Sequence, residues 1–302
     1  QYPLRLVLCQ ECDLVQLKDT TPPSALYTQH YGYRSGINQT MREHLDGIVK
    51  KAMSMVELKM EDVVIDIGSN DATLLKFYPR ELIRIGFDPV TKFQSYYDEL
   101  NLVFVNHYYS HDIFSKVLVD PVHKGKKARI ITAISMFYDL DDPNTFVADL
   151  ASTLHTDGVL VIQQNYLVEM MRRLAFDNIC HEHLEYYSLT SLSRLLNRHG
   201  LEVVDAEVND LNGGSFRVYV KHMQILKKMR MIESSMKLNN KLTYLTFGMK
   251  VQNTIRKIRQ FIKGEVEKGK VIYVYGASTR GNTILQTCKL DHTLIKAAVE
   301  RN

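Results

Sequence analysis

The sequence predicts an α/β protein organised around a mostly parallel sheet, with smaller parts before and after it. Three observations point there. Between about residues 56 and 210, short apolar runs alternate with helix-like segments, the pattern of a parallel sheet covered by helices on both faces. The run Val63-Val64-Ile65-Asp66-Ile67 is almost wholly apolar, as a strand buried on both faces should be. It passes straight into Gly68-Ser69-Asn70-Asp71, a tight turn ahead of a helix.

Taken in order, residues 1–55 hold a Cys pair, then Pro22-Pro23, a Tyr-rich loop from Tyr27 to Tyr33 and a polar helical stretch from about Asn38 to Met55. Residues 56–210 carry strands expected at Val63–Ile67, Arg84–Asp88, Val103–Asn106, Arg129–Ile134 and Val159–Gln163, with a helix over Pro143–Leu154 before His155–Gly158. Residues 211–302 open with Asn212-Gly213-Gly214 and a strand, Ser215–Val220. Helices are expected near Met223–Lys237 and Leu242–Lys268, then a strand, Lys270–Tyr275, the turn Gly276 to Gly281 and a helix, Asn282–Cys288. That ending reads as the opening of a second Rossmann-like unit, left incomplete.

A chain of 302 residues exceeds one ordinary core, so two or three domains are expected. With 45% hydrophobic and 24% charged residues the composition is that of a packed soluble protein. No run approaches the roughly 18 apolar residues that a membrane span needs, and the first residues lack the layout of a signal peptide. Gln1 in first place, and an apolar run up to Val299, lead us to expect further residues beyond both ends. Four cysteines make no disulfide framework and suit a reducing, cytoplasmic compartment.

The net charge of +4 is too modest to imply nucleic acid by itself. Between Lys221 and Lys263 eleven Lys or Arg stand against one acid, Glu233. Such a run attracts phosphates or simply forms a solvated helix face.

The Gly68 turn admits a ligand close to the backbone, because glycine has no Cβ. Ligands of open α/β sheets bind beyond the carboxyl ends of the strands. The next strand ends in Gly86-Phe87-Asp88, and a carboxylate there can accept both ribose hydroxyls of an adenosine. A dinucleotide site would want Gly-x-Gly-x-x-Gly; one Gly followed by Asn70 and Asp71 suits the ammonium-bearing end of S-adenosylmethionine better than a diphosphate. Ser135, after the fourth strand, completes the candidate cofactor contacts.

The region also resembles motifs I and II of class I methyltransferases, whose Rossmann-like fold is thereby expected for the central domain. Ser135-Met136-Phe137-Tyr138 stands where a nucleobase amine methyltransferase carries Asn/Asp-Pro-Pro-Tyr. Further motifs resemble one family end to end, the sugar C-methyltransferases: Cys9-Gln10-Glu11-Cys12 through Leu17, Ile67 to Asp71, His181-Glu182-His183-Leu184-Glu185-Tyr186-Tyr187, Asn212 to Val218, and Tyr275 to Ser278. The resemblance implies a small amino-terminal zinc-binding module, a central methyltransferase domain and a carboxy-terminal Rossmann-like domain that holds the substrate. It implies methylation of a carbon, typically C3 beside a C4 ketone, of a nucleotide-linked deoxysugar. Three positions depart from the family pattern: Asp13 and Ala72 replace glycine, and Cys180 replaces tyrosine.

Making a carbon–carbon bond requires a base beside the ketone, and His has the matching pKa. The resemblance assigns that role to His183, with Glu182 orienting the imidazole or bonding the sugar. Tyr31, Tyr33 and Asn165 are candidates for the enolate oxygen. Ser278 and Arg280, at the start of the last helix, are candidates for the substrate phosphates. On spacing alone His181 and His183 are a core or surface pair, or two metal ligands pointing to opposite faces of a strand. Zinc sites take four ligands; Cys9 and Cys12 supply two, so a second pair is expected upstream of Gln1, in a structural site far from the chemistry. Two other readings remain open: a nicotinamide-dependent oxidoreductase with paired nucleotide sites, and a nucleic-acid methyltransferase. No membrane partner is expected.

Overall fold

A computed structural model describes residues 3–22, 26, 32–100, 102–118, 121–221, 232–276 and 278–299. The strands are β1 (Leu6–Leu8), β2 (Val15–Leu17), β3 (Val63–Ile67), β4 (Ile83–Phe87), β5 (Val103–Val105), β6 (Ala128–Ile134), β7 (Leu154–Asn165), β8 (Glu185–Tyr186), β9 (Asp205–Asn209), β10 (Ser215–Tyr219), β11 (Tyr273–Tyr275) and β12 (Ala297–Val299). The α-helices are α1 (Gln39–Ser54), α2 (Gln94–Asp98), α3 (His111–Val117), α4 (Pro143–Thr153), α5 (Leu167–Arg173), α6 (Leu189–Arg198), α7 (Lys241–Glu267) and α8 (Thr279–Thr287).

Seven strands form the central sheet in the order β5-β4-β3-β6-β7-β10-β9. β3 through β7 run parallel, and β10 is antiparallel to both β7 and β9. The chain leaves β3 toward β4 on one side and returns through β6 on the other, so the crevice for a ligand lies past the carboxyl ends of β3 and β6. This is the Rossmann-like arrangement expected of the central domain. All five residues of β3 are buried, and apolar cores cover both faces of the sheet.

Local signals set the helices. Asn38 caps α1 through the Thr40 N–H, and the buried Leu45, Ile48, Val49 and Ala52 fall on one helical face. Ser188 and Ser191 form a capping box on α6. In α7 only Phe247 is buried, while Lys241, Lys250, Arg256, Lys257 and Lys263 are exposed; the described part of the basic segment is a solvated helix face. The expected helix at Met223–Lys237 lies outside the described residues except for a helical turn at 232–236. Glu233 in that turn is 4% exposed. It accepts from the Leu189 N–H, from the Thr190 N–H at 3.0 Å and from Tyr166 Oη at 3.0 Å, so it caps α6 from a turn 44 residues beyond Leu189.

Two elements differ from expectation. β7 starts at Leu154 rather than Val159, because Ala128 pairs with Leu154 before the register shifts and Ile130 meets Val159. Residues His155–Gly158, left between the expected helix and strand, bulge within β7. Ser215–Tyr219, assigned on sequence to the third part, is an interior strand of the central sheet and fully buried. Its Arg217 hides the apolar pattern. The guanidinium is held by Gln163 Oε1 at 3.0 Å and Glu207 Oε1 at 3.1 Å, which compensates its burial.

Gly86 on β4 has no room for a side chain: a Cβ would lie 2.3 Å from Tyr97 Oη and 2.7 Å from Ser69 Oγ, themselves hydrogen-bonded at 2.5 Å. Gly86→Ala is expected to destabilise the fold by roughly 1–3 kcal/mol through overpacking. Urea unfolding measures this, and an unchanged midpoint would show that the site relaxes freely.

Candidate active site

The turn after β3 builds one wall of a cavity of about 310 Å³. Gly68 adopts φ +69°, and a Cβ there would come within 3.1 Å of Met136. Its N–H and that of Ser69 donate to the Phe87 carbonyl at 2.9 and 3.1 Å, tying the turn to the end of β4. The Asn70 N–H donates to Asp88 Oδ2, and the Val90 N–H to Oδ1, both at 2.9 Å. Burial pushes the Asp88 carboxyl up, while those two N–H groups hold it down. Gly68, Asn70, Asp88 and Ser135 all line the cavity, with Tyr108 beside them. Ser135, at φ +56°, donates its N–H to the Gln163 carbonyl at 2.7 Å.

Asp71 is not among the lining residues. It accepts from the Gly36 N–H at 3.0 Å and from Thr73 Oγ1 at 2.6 Å. Asn70 accepts from the Ser35 N–H at 3.1 Å and donates to the Tyr33 carbonyl at 3.0 Å. The sequence pair read as a match for an ammonium thus also pins the amino-terminal loop to the cavity rim. Tyr33 lines the cavity, half exposed; Tyr31 lies outside the described residues. Ala72, where the resemblance expects glycine, takes φ +59°, the left-handed region that glycine favours.

Below the turn, Asp66 is 4% exposed and accepts from Thr132 Oγ1 at 2.6 Å. Burial raises its pKa to about 7. The neutral acid is the buried form, so its contribution to stability is present below the unfolded value near 3.8 and lost as pH rises through about 7. Relative to Asp66→Asn, the wild type is therefore expected to lose stability between these pH values. Urea midpoints across that range test this; a difference independent of pH would refute it.

His183 directly follows a turn at 181–182 and is not on a strand; the two imidazoles follow the turn rather than strand alternation. Its Nδ1 lies 2.8 Å from the Asn178 carbonyl. A carbonyl only accepts, so Nδ1 carries the proton and Nε2 keeps its lone pair. Burial lowers the pKa to about 4, with Arg280 lowering it further and the Asn178 carbonyl opposing. The imidazole is therefore neutral at pH 7. The orienting group is thus a main-chain carbonyl, not Glu182, whose Oε1 instead accepts from Thr279 Oγ1 at 3.2 Å.

The ring meets that of Tyr138 edge-on at 4.3 Å, and the Leu184 N–H donates to the Tyr138 carbonyl at 2.8 Å. Tyr138 follows Met136, a lining residue, on the short turn after β6. The imidazole is thus fastened to the same strand end as the cavity, without standing in its wall.

Asn165, at the end of β7, donates Nδ2 to Asn178 Oδ1 at 3.0 Å. Arg280 pairs with Asp177 Oδ2 at 2.7 Å, which brings α8 onto the segment that carries Asn178. Ser278 Oγ accepts from the Gly281 N–H at 3.3 Å as the cap of α8. The two candidate phosphate groups therefore do not converge: one is a cap and the other is committed to a carboxylate.

Cys9 and Cys12 lie between β1 and β2. The Cys12 and Glu11 N–H groups lower the Cys9 pKa. Asp13, at the second glycine position of the resemblance, takes φ +58°. Among the described residues no group of three or more His, Cys, Asp or Glu could hold a metal. The end of β2 away from the Cys pair meets the segment of the candidate base: β2 pairs with β8, and the Leu17 N–H donates to the Leu184 carbonyl, next to His183, at 2.8 Å. Among the described residues no helix is long and apolar enough to cross a membrane.

Comparison with known proteins gives two matching domain families: a methyltransferase domain over residues 38–206 and a C-methyltransferase C-terminal domain over residues 210–302. C-methyltransferase NovU from Streptomyces niveus is 27% identical over 303 residues, covering 98% of this chain and 71% of that protein. The N-methyltransferase NodS from Bradyrhizobium japonicum, in complex with S-adenosyl-L-homocysteine, is 13% identical with a TM-score of 0.44, covering 63% of this chain and 90% of that one. An S-adenosylmethionine-dependent methyltransferase from Clostridium acetobutylicum is 10% identical with a TM-score of 0.43, covering 60% of this chain and 91% of that one.

Proposed function

The chain belongs to the methyltransferase domain family, matched over more than half its length, and from that premise we propose that it methylates a carbon beside a ketone on a nucleotide-linked deoxysugar, C3 next to a C4 ketone. The match of residues 210–302 to a C-methyltransferase C-terminal domain supports carbon as the acceptor. The observation that carries the reading is His183, a neutral imidazole with Nδ1 fixed and Nε2 unprotonated, fastened to the strand end that lines the Gly68 cavity.

The cavity fits S-adenosylmethionine: it lies at the switch of strand direction, with a turn free of Cβ on one side and a carboxylate on the other. Gly68, Asn70, Asp88 and Ser135 would hold this cofactor, which when bound supplies an electrophilic methyl group. Asp88 accepts from the ribose hydroxyls with lone pairs that its backbone partners leave free. Asn70 keeps the turn and the loop at 33–36 together over the ligand.

His183 Nε2 takes the proton from the carbon next to the ketone, and the electron pair left behind delocalises onto the ketone oxygen. The Asn178 carbonyl steadies the imidazolium so formed. Glu182 and Arg280, held by Thr279 and Asp177, place the carboxy-terminal part beside the base, where it helps to hold the nucleotide-sugar. Cys9 and Cys12 supply two thiols for a structural zinc with two ligands from outside the described residues; no step uses it.

Incubation with labelled S-adenosylmethionine and a panel of dTDP-, GDP- and CDP-linked keto-deoxysugars, followed by mass analysis, tests the reading. Label is expected on a ring carbon of one member. A panel that stays unlabelled, beside tight and salt-sensitive RNA binding, would overturn it.

A further inference from the structure

Two amides linked to the candidate base leave buried polar atoms without partners: Oδ1 of Asn165 and Nδ2 of Asn178. The two residues are 7% and 0% exposed. Buried amide atoms are nearly always hydrogen-bonded, and bare ones are costly. Such a concentration therefore points to an absent ligand.

The geometry of the Asn pair narrows the chemistry. Asn165 Nδ2 donates to Asn178 Oδ1 at 3.0 Å, which leaves one acceptor and one donor. Turning both amides over preserves that outcome, so the complement does not depend on how nitrogen and oxygen are assigned. The same Asn178 holds His183 Nδ1 through its carbonyl at 2.8 Å. A Cβ placed on Gly213 would lie 3.8 Å from Asn178 Nδ2 and 3.1 Å from Arg280 Nη2. The amide, the guanidinium and a turn without a side chain thus meet around one point.

We propose that Asn165 and Asn178 form a hydroxyl-recognition subsite, which holds a ring hydroxyl of the substrate beside the carbon that His183 deprotonates. One amide accepts the hydroxyl proton and the other donates to its oxygen. A hydroxyl satisfies both atoms. A ketone or enolate oxygen only accepts, so it would leave the amide carbonyl bare. The subsite rests on the reading of His183 as the base, and it sets which sugars are turned over.

The test follows exchange of the proton next to the ketone into deuterated water by NMR, with no S-adenosylmethionine present. The probes are a dTDP-linked keto-deoxysugar with its ring hydroxyl next to the ketone and an analogue lacking that hydroxyl. The wild type is expected to half-saturate with the hydroxylated probe at a concentration about 10- to 100-fold lower, the cost of a buried amide pair left unsatisfied. Asn178→Ala keeps the main-chain carbonyl on His183, and Asn165→Ala is read in parallel in case one variant folds poorly. Each should narrow the gap to about threefold or less by weakening the hydroxylated probe alone. A gap unchanged in both variants, or equal weakening of both probes, overturns the subsite and leaves a hydrated structural cluster. A wild type that exchanges neither proton removes the base assignment and the subsite with it; that failure shows in the unmutated protein and is distinguishable from the first.

Discussion

His183→Ala is expected to lower methyl transfer by about a hundred- to ten-thousandfold, the range for losing a positioned general base, while leaving cofactor affinity intact. The reason for the split is spatial. The imidazole contacts Tyr138 and Asn178 and contributes no wall to the cavity at Gly68. Turnover and binding of S-adenosylhomocysteine, measured on the same preparation, separate the two effects. Full activity would place the base elsewhere. The pH profile adds an independent signature. With a pKa near 4, the acid limb of the wild-type rate should fall well below the ordinary histidine value of 6.5. A limb at that ordinary value would show that the imidazole is not desolvated as the structure has it.

Asp88→Ala is the converse case. It should weaken cofactor binding by about ten- to hundredfold, the worth of one charge-assisted hydrogen bond or slightly more. Part of that loss comes through the protein itself, because Asp88 also holds the Asn70 and Val90 N–H groups. Asp88→Asn keeps one acceptor and should lie between the two. Titration calorimetry with S-adenosylhomocysteine measures both; an unchanged affinity would refute the ribose role.

What the sequence made legible is what local chemistry dictates. The strand Val63–Ile67 could be read because a strand buried on both faces tolerates few polar groups. The places of Gly68 and Asp88 at the cavity could be read because a glycine turn and a carboxylate at the next strand end fall at fixed spacing. The place of Ser215–Tyr219 was not legible, since its partners Leu154–Asn165 and Asp205–Asn209 are set by pairing across the chain. The orienting group of His183 was hidden for another reason: a main-chain carbonyl has no residue type. The tie between Asn70 and residues 33–35 joins segments far apart in sequence, and no local pattern announces it. Positive φ at Asp13 and Ala72 shows the limit from the other side. The backbone there takes a conformation suited to glycine at residues that are not glycine.

Glu233 has a practical bearing on how such enzymes can be recombined. A swap of carboxy-terminal segments between relatives would treat the molecule as separable modules. The first turn of α6 and the Tyr166 hydroxyl, however, rely on a single acid donated from the swapped half. A chimera that lacks an acid at that place strands those donors inside the protein, so its yield of soluble material should track this one junction more closely than overall sequence likeness.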